Sequence, residues 1–151
     1  MGSSGSKKLP GTVHGADWRQ IAGCVKLTIR LPWPAAALFV NRSNGRRWMA
    51  RRAAAVKARS YAGFLTLQAA LGRRFEIGET AAVEYEFHPP RAGRYDADGL
   101  LSACKAYQDG IADALGVDDS AFWPVTLVRG EAEPGGSVVV TVIVTEGQGE
   151  R

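Results

Sequence analysis

The chain has 151 residues, 46% hydrophobic and 23% charged, enough for one compact domain with a real core and too few for several. A formal net charge of +4 and a pI of about 9.3 are compatible with a polyanionic partner. No apolar run approaches the ~20 residues that cross a bilayer and no signal-peptide core is visible, so the expectation is a cytoplasmic protein.

Residues 1–23 open on MGSSGSKK and carry no periodic pattern, so they read as a leader or flexible segment outside the fold. Val25–Leu31 (VKLTIRL) alternates apolar with polar residues, as a half-buried strand does, and Pro32 and Pro34 end it. A long loop follows, with a Ser-Asn-Gly turn signal at 43–45. Met49 to Leu71 is Ala-rich and free of proline, which predicts a helix with Phe64, Leu67 and Leu71 on the core side and Gly72 as its stop.

Ala81–Phe87 (AAVEYEF) alternates strictly and predicts a second strand, with Val83, Tyr85 and Phe87 on one face and Glu84 and Glu86 on the other. Ala97 to Leu115 predicts a second helix, whose apolar positions Leu100, Cys104, Tyr107, Ile111 and Ala114 follow a 4-3-4-3 spacing. Two more strands, Trp123–Val128 and Ser137–Thr145, join through a Pro-Gly-Gly turn, and 147–151 is a polar tail. The order implies an α/β (α+β) fold, one domain over 24–146 around a mixed sheet with two main helices. Cys24 and Cys104 match no zinc spacing and read as buried or incidental.

Charge is divided along the chain. Between Arg42 and Arg59 stand seven cations (Arg42, Arg46, Arg47, Arg51, Arg52, Lys57, Arg59) and no acid, whereas the acids gather between Glu76 and Asp119. An enzyme that grips nucleic acid with cations and a metal with carboxylates needs that division. The sharpest local signal is Tyr95-Asp96-Ala97-Asp98, followed later by Asp118-Asp119. Asp98 also stands where a helix N-cap belongs. Clustered aspartates repel one another unless a cation sits between them, and a hard divalent ion takes such oxygen ligands. A straight helix from Asp98 to Gly116 would climb about 27 Å, so the two acidic pairs meet only if the chain folds back or a second subunit completes the site. Lys105 has two readings, an exposed partner of Asp109 one turn on, or a point charge for a scissile phosphate. Ser102 sits one turn after Asp98. His88, before two prolines, reads as a strand-end structural histidine or a substrate contact.

With these pieces in order, the chain resembles the RusA family of Holliday junction resolvases from about Val25 to Thr145. The resemblance rests on LTIRLPWPAAALFVN ending at Asn41, the basic stretch after it, HPPRAGRYDAD, Asp96-Ala97-Asp98-Gly99-Leu100 for the family's D-x-D-N-L, and Asp113-Ala114-Leu115 before Asp118-Asp119. It implies a phage or prophage endonuclease of DNA recombination and repair, a homodimer that resolves four-way junctions by paired symmetric nicks with magnesium, for which manganese can substitute. Catalytic roles would fall to Asp96, Asp98, Asp119 and Lys105, and metal ligation to Asp96, Asp98, Asp118 and Asp119. Two departures stand out: Gly99 replaces the motif's Asn, and Ser102 occupies the place of the family lysine, leaving Lys105 as its substitute. Asn41, Arg42, Arg46, Arg47, Arg51, Arg52, Lys57 and Arg94 are the expected DNA contacts. Trp48 and Phe39 are either wedges at the branch point or core side chains. Two other functions share these residues: a metal nuclease acting on flaps or linear duplex, and a non-catalytic branched-DNA-binding protein whose aspartates merely cap helices.

Overall fold

A computed structural model of the chain describes residues 24–39, 48–73 and 77–145. The expected leader, most of the basic loop and the polar tail fall outside them. Four strands form one mixed sheet in the order β1-β4-β2-β3. Strand β1 (Cys24–Pro32) pairs antiparallel with β4 (Ser137–Thr145), β4 antiparallel with β2 (Ala81–His88), and β2 parallel with β3 (Phe122–Arg129). Helix α1 (Trp48–Ala70) joins β1 to β2, while α2 (Ala97–Ala103) and α3 (Lys105–Leu115) make the crossover that a parallel pair requires. The fold is a single small α+β domain with a mixed sheet, as the element order implies. No helix among the described residues is long and apolar enough to cross a membrane.

Strand register turns the alternation in the sequence into rows. Leu27, Val142, Val83 and Val125 lie across the sheet, then Ile29, Val140, Tyr85 and Leu127, then Leu31, Val138, Phe87 and Arg129. Residues in register share a face, so these rows form the core surface on which the helices pack. Two tyrosines fasten α3 to it. The Tyr85 hydroxyl donates to Gln108 Oε1 at 3.0 Å, and that of Tyr107 donates to the Pro32 carbonyl at 2.7 Å. Burial pushes both phenols above their usual range and the Cys104 thiol up to about 12. Cys104 is therefore an inert core residue.

Three expectations need correction. Phe64, Leu67 and Leu71 do not face the core: they are 57%, 57% and 81% exposed. Helix α1 buries instead its small-residue side, with Ala62 and Thr66 fully covered. The physical reason is closeness, because α1 and α3 cross at glycines: a Cβ on Gly63 would stand 3.3 Å from the Gly110 carbonyl oxygen, and one on Gly110 would collide with the Arg59 carbonyl. Large side chains cannot fit between backbones so near. Secondly, the helix expected over 97–115 is two, broken at Cys104 (φ −96°, ψ 5°). Its apolar positions Leu100, Cys104, Tyr107 and Ile111 are nonetheless buried. Thirdly, Glu84 is only 5% exposed, because β2 is an inner strand covered on both faces over 81–85.

Glycine to alanine inside a helix ordinarily gains up to about 1 kcal/mol. At Gly110 the sign reverses: Gly110→Ala is expected to lose about 2 kcal/mol through overpacking. A fall in the urea midpoint at unchanged slope is the measurement that checks it.

Candidate functional site

The acidic motif sits where the chain leaves β2 and enters α2. Asp96 is the N-cap, its backbone extended (φ −88°, ψ 148°) and its carboxylate accepting from the Gly99 amide at 3.0 Å. Asp98, read from sequence as the cap, lies inside the first turn, where a carboxylate meets the positive end of the helix dipole. Gly99 stands close under the cap, since a Cβ there would come within 3.1 Å of Asp96 Oδ1. The departure from the motif's Asn thus leaves a tight N-cap in place. Asp96 and Asp98 are both exposed.

The break at Cys104 removes Lys105 from the helix that carries Asp98 and makes it the first residue of α3. One continuous helix would set Lys105 two turns after Asp98 on the same face, and the break removes that alignment. Its ammonium donates to Asp109 Oδ1 at 2.7 Å and also to Asp119. Both hydrogen bonds raise the Lys105 pKa, Asp109 more than Asp119. The pairing with Asp109 anticipated from the i, i+4 spacing is present, and Asp119 joins it.

Asp119 reaches Lys105 because the chain reverses after α3. Gly116 ends the helix in the left-handed region (φ 73°), and Val117 N–H donates back to the Ala112 carbonyl at 3.0 Å. A single 3-10 turn over Asp119–Ala121 follows, capped by Asp118, whose carboxylate accepts from Ser120 N–H at 3.0 Å. The side-chain and backbone hydrogen bonds of Ser120 hold the Asp118 carboxyl below its usual range. The return of the second acidic pair toward the start of α3 is thus achieved within one chain. The four aspartates are not gathered into one cage, however: among the described residues no three His, Cys, Asp or Glu side chains form a group able to hold a metal ion.

A second ion pair stands alongside. Arg59 of α1 grips Asp113 of α3 with two hydrogen bonds, 2.6 Å from Nε and 3.0 Å from Nη2. That bond holds the Asp113 carboxyl low and raises Arg59. Arg59, counted in the basic stretch, is therefore committed to the fold. Of the expected DNA contacts, Arg52, Lys57 and Arg94 are exposed and Arg51 is half-buried, while Asn41, Arg42, Arg46 and Arg47 lie outside the described residues. Phe39 stacks on Trp33 with centroids 6.3 Å apart, the packing role, whereas Trp48 is 58% exposed and packs in no core. His88 follows its structural reading, lying 3.1 Å from Glu86 Oε2 through Nε2 and 2.9 Å from the Glu131 carbonyl through Nδ1.

Sequence reasoning missed a cleft of about 200 Å³ beside the acidic motif. Trp33, Phe87 and Tyr95 line it, with Arg129 and Gly130 on the β3 side. Trp33 meets Tyr95 edge to face at 5.5 Å and Phe87 at 6.2 Å. Tyr95 directly precedes Asp96, so one short segment supplies a cleft wall and the cap. The available signal was Arg129, a cation at the position where β3's alternation (Val125, Leu127) calls for an apolar residue.

No family model matches the chain. It is similar to a protein of Xylella fastidiosa (strain Temecula1) described as uncharacterized, with 37% identity over 117 residues, 76% of this chain and 74% of that one.

The Arg59–Asp113 pair carries a pH dependence. Asp113 has a folded pKa below its unfolded value, so its contribution is complete above the unfolded pKa of about 3.8 and is lost as pH falls through the lower folded value. In carbon-detected NMR the Asp113 carboxyl is expected to titrate below 3.8, and Arg59→Ala to return it upward.

Proposed function

This chain and the Xylella fastidiosa protein belong to one family, and we propose that this chain is a magnesium-dependent endonuclease that resolves four-way DNA junctions. The observation that carries the reading is the Lys105 ammonium bonded to Asp119, which draws the later acidic pair back to the joint between the helix bearing Asp98 and α3. Motif spacing, the RusA resemblance and the cationic stretch 42–57 support the same reading.

The donor set suits a hard divalent ion: Asp96, Asp98, Asp118 and Asp119 offer only oxygen, and no soft ligand stands among them. Bound there, magnesium would activate water and neutralise charge on the phosphodiester. The protein's own residues do the rest. The Asp96 cap fixes the first turn of α2, and Lys105 orients Asp119 while holding a positive charge at the same surface. Arg52, Lys57 and Arg94 offer exposed charge to the phosphate backbone. A junction has approximate two-fold symmetry, and the exposed apolar side chains of α1 support self-association into a symmetric pair.

A second reading is favoured by one specific observation: among the described residues no three His, Cys, Asp or Glu side chains form a group able to hold a metal ion. On that reading the chain binds branched DNA without cutting it.

Cleavage of an end-labelled four-way junction separates the two. Magnesium is expected to give paired symmetric nicks, absent in EDTA and slowed about 100-fold or more by Asp98→Asn. Tight binding without cutting under any divalent ion would establish the second reading. Equal rates on flap and linear duplex would sink junction specificity.

A further inference from the structure

We propose that the cleft between Trp33, Tyr95 and Arg129 binds a single unstacked nucleobase. The proposal rests on the nuclease reading above for its role, which is to hold a base displaced from the stack next to the acidic motif. Its chemistry rests on the cleft itself.

Size comes first. About 200 Å³ lies below the ~300–1,000 Å³ of pockets for drug-sized ligands, which leaves room for a guest of one or two rings. The space exists because the facing positions are small. Ala92, Gly93, Gly130 and Ala132 put no bulk into it. At Gly130 a Cβ would meet the His88 ring, so a larger residue there requires His88 to shift. Its amide is held in turn by the Phe87 carbonyl at 2.7 Å. Backbone at Gly130 thus forms part of the β3 side of the cleft.

Shape comes next. Trp33 and Tyr95 stand at 73° to each other, so a flat guest lying along one ring meets the other with its edge. Every base has a π-face, and stacking on aromatic side chains contributes ~1–3 kcal/mol per base.

Charge decides between a base and a phosphate. Arg129 shares the sheet row of Phe87, on the core side of an edge strand, and its exposed guanidinium has no ion-pair partner among the described residues. Exposed at the end of a row otherwise made of Leu31, Val138 and Phe87, that guanidinium is available to donate to a polar guest. The adjoining rim carries Glu86, Glu131 and Glu133 beside Arg129 and His88. Glu133 pairs with Arg30 and Glu86 lies against His88, which leaves Glu131 as the rim acid that repels a phosphate, whereas the neutral edge of a base can accept from the guanidinium, as guanine does through O6 and N7. The guest is thus a base, with its phosphate directed away from the acidic rim.

The test needs no cutting. In EDTA, dGMP, dCMP and deoxyribose 5-phosphate are titrated into labelled protein while the amides of Gly93 and Gly130 are followed by NMR. Both nucleotides are expected to give saturable shifts and the sugar phosphate none, with dGMP the tighter. Ala132→Leu fills the cleft from an exposed position and should weaken nucleotide binding about tenfold or more, with the melting temperature unchanged. Arg129→Gln should remove the preference for dGMP over dCMP. Equal binding of the sugar phosphate, or undiminished binding by Ala132→Leu, overturns the proposal. Junction cutting is scored separately. Base binding without cutting leaves the cleft standing and sinks the nuclease reading, and cutting without base binding does the reverse.

Discussion

Helix α3 approaches α1 so closely that Gly110 has no space for a Cβ beside the Arg59 carbonyl. This contact sets the depth at which α3 lies, and most other features take their position from it. From that depth Tyr107 reaches the end of β1 and Gln108 meets Tyr85 in the middle of β2. Arg59, on the same turn of α1 as the contact, meets Asp113 one turn further along α3. Lys105 and Asp109 project from that helix toward the returning chain at Asp119. Displacing α3 by one methyl group would therefore disturb the core, an ion pair and the acidic surface together.

The strands were legible because alternation along a half-buried strand is local. Val25–Leu31 and Ala81–Phe87 carry it plainly, Ser137–Thr145 is instead a nearly continuous β-branched run, and each proved to be a strand with ends shifted by at most one residue. The helices were legible as helices but not by their buried faces. In α1 the largest apolar residues suggested the core side, yet the core side is chosen by what fits against Gly110. That is a property of a partner forty-seven positions away, and no window on α1 contains it. Burial of Glu84 failed to show for a similar reason, because only the strand order reveals that β2 is internal.

Of the candidate site, the residue types and the helix start were readable, since a cap needs Asp followed by a free amide within three residues. Which aspartate does the capping was not, because Asp96 and Asp98 present the same pattern one step apart. The break at Cys104 was hidden as well: the 4-3-4-3 apolar spacing runs through it unbroken, and its first four members, Leu100, Cys104, Tyr107 and Ile111, are buried on both sides of the kink. The return of Asp119 to Lys105 follows the reversal at the left-handed Gly116, so it belonged to tertiary structure from the start. The aromatic cleft joins three distant segments and had only Arg129, out of pattern in β3, to announce it.

Sheet order has a consequence for how the protein comes into being. The last strand, β4, is an inner one, hydrogen-bonded to both β1 and β2. During synthesis β1 emerges early and has no strand neighbour until β4 follows, since Cys24 pairs with Thr145. Until then β1 and β2 are two bare edges that cannot reach each other, and the rows of the core lack their middle members. Assembly of the sheet is consequently deferred until β4 has been made, and the pairing of β1 with β4 is its longest-range strand contact. A nascent chain so arranged is most vulnerable to strand-to-strand aggregation before β4 emerges, and a truncation that removes β4 would leave two separate edges in place of a shortened sheet.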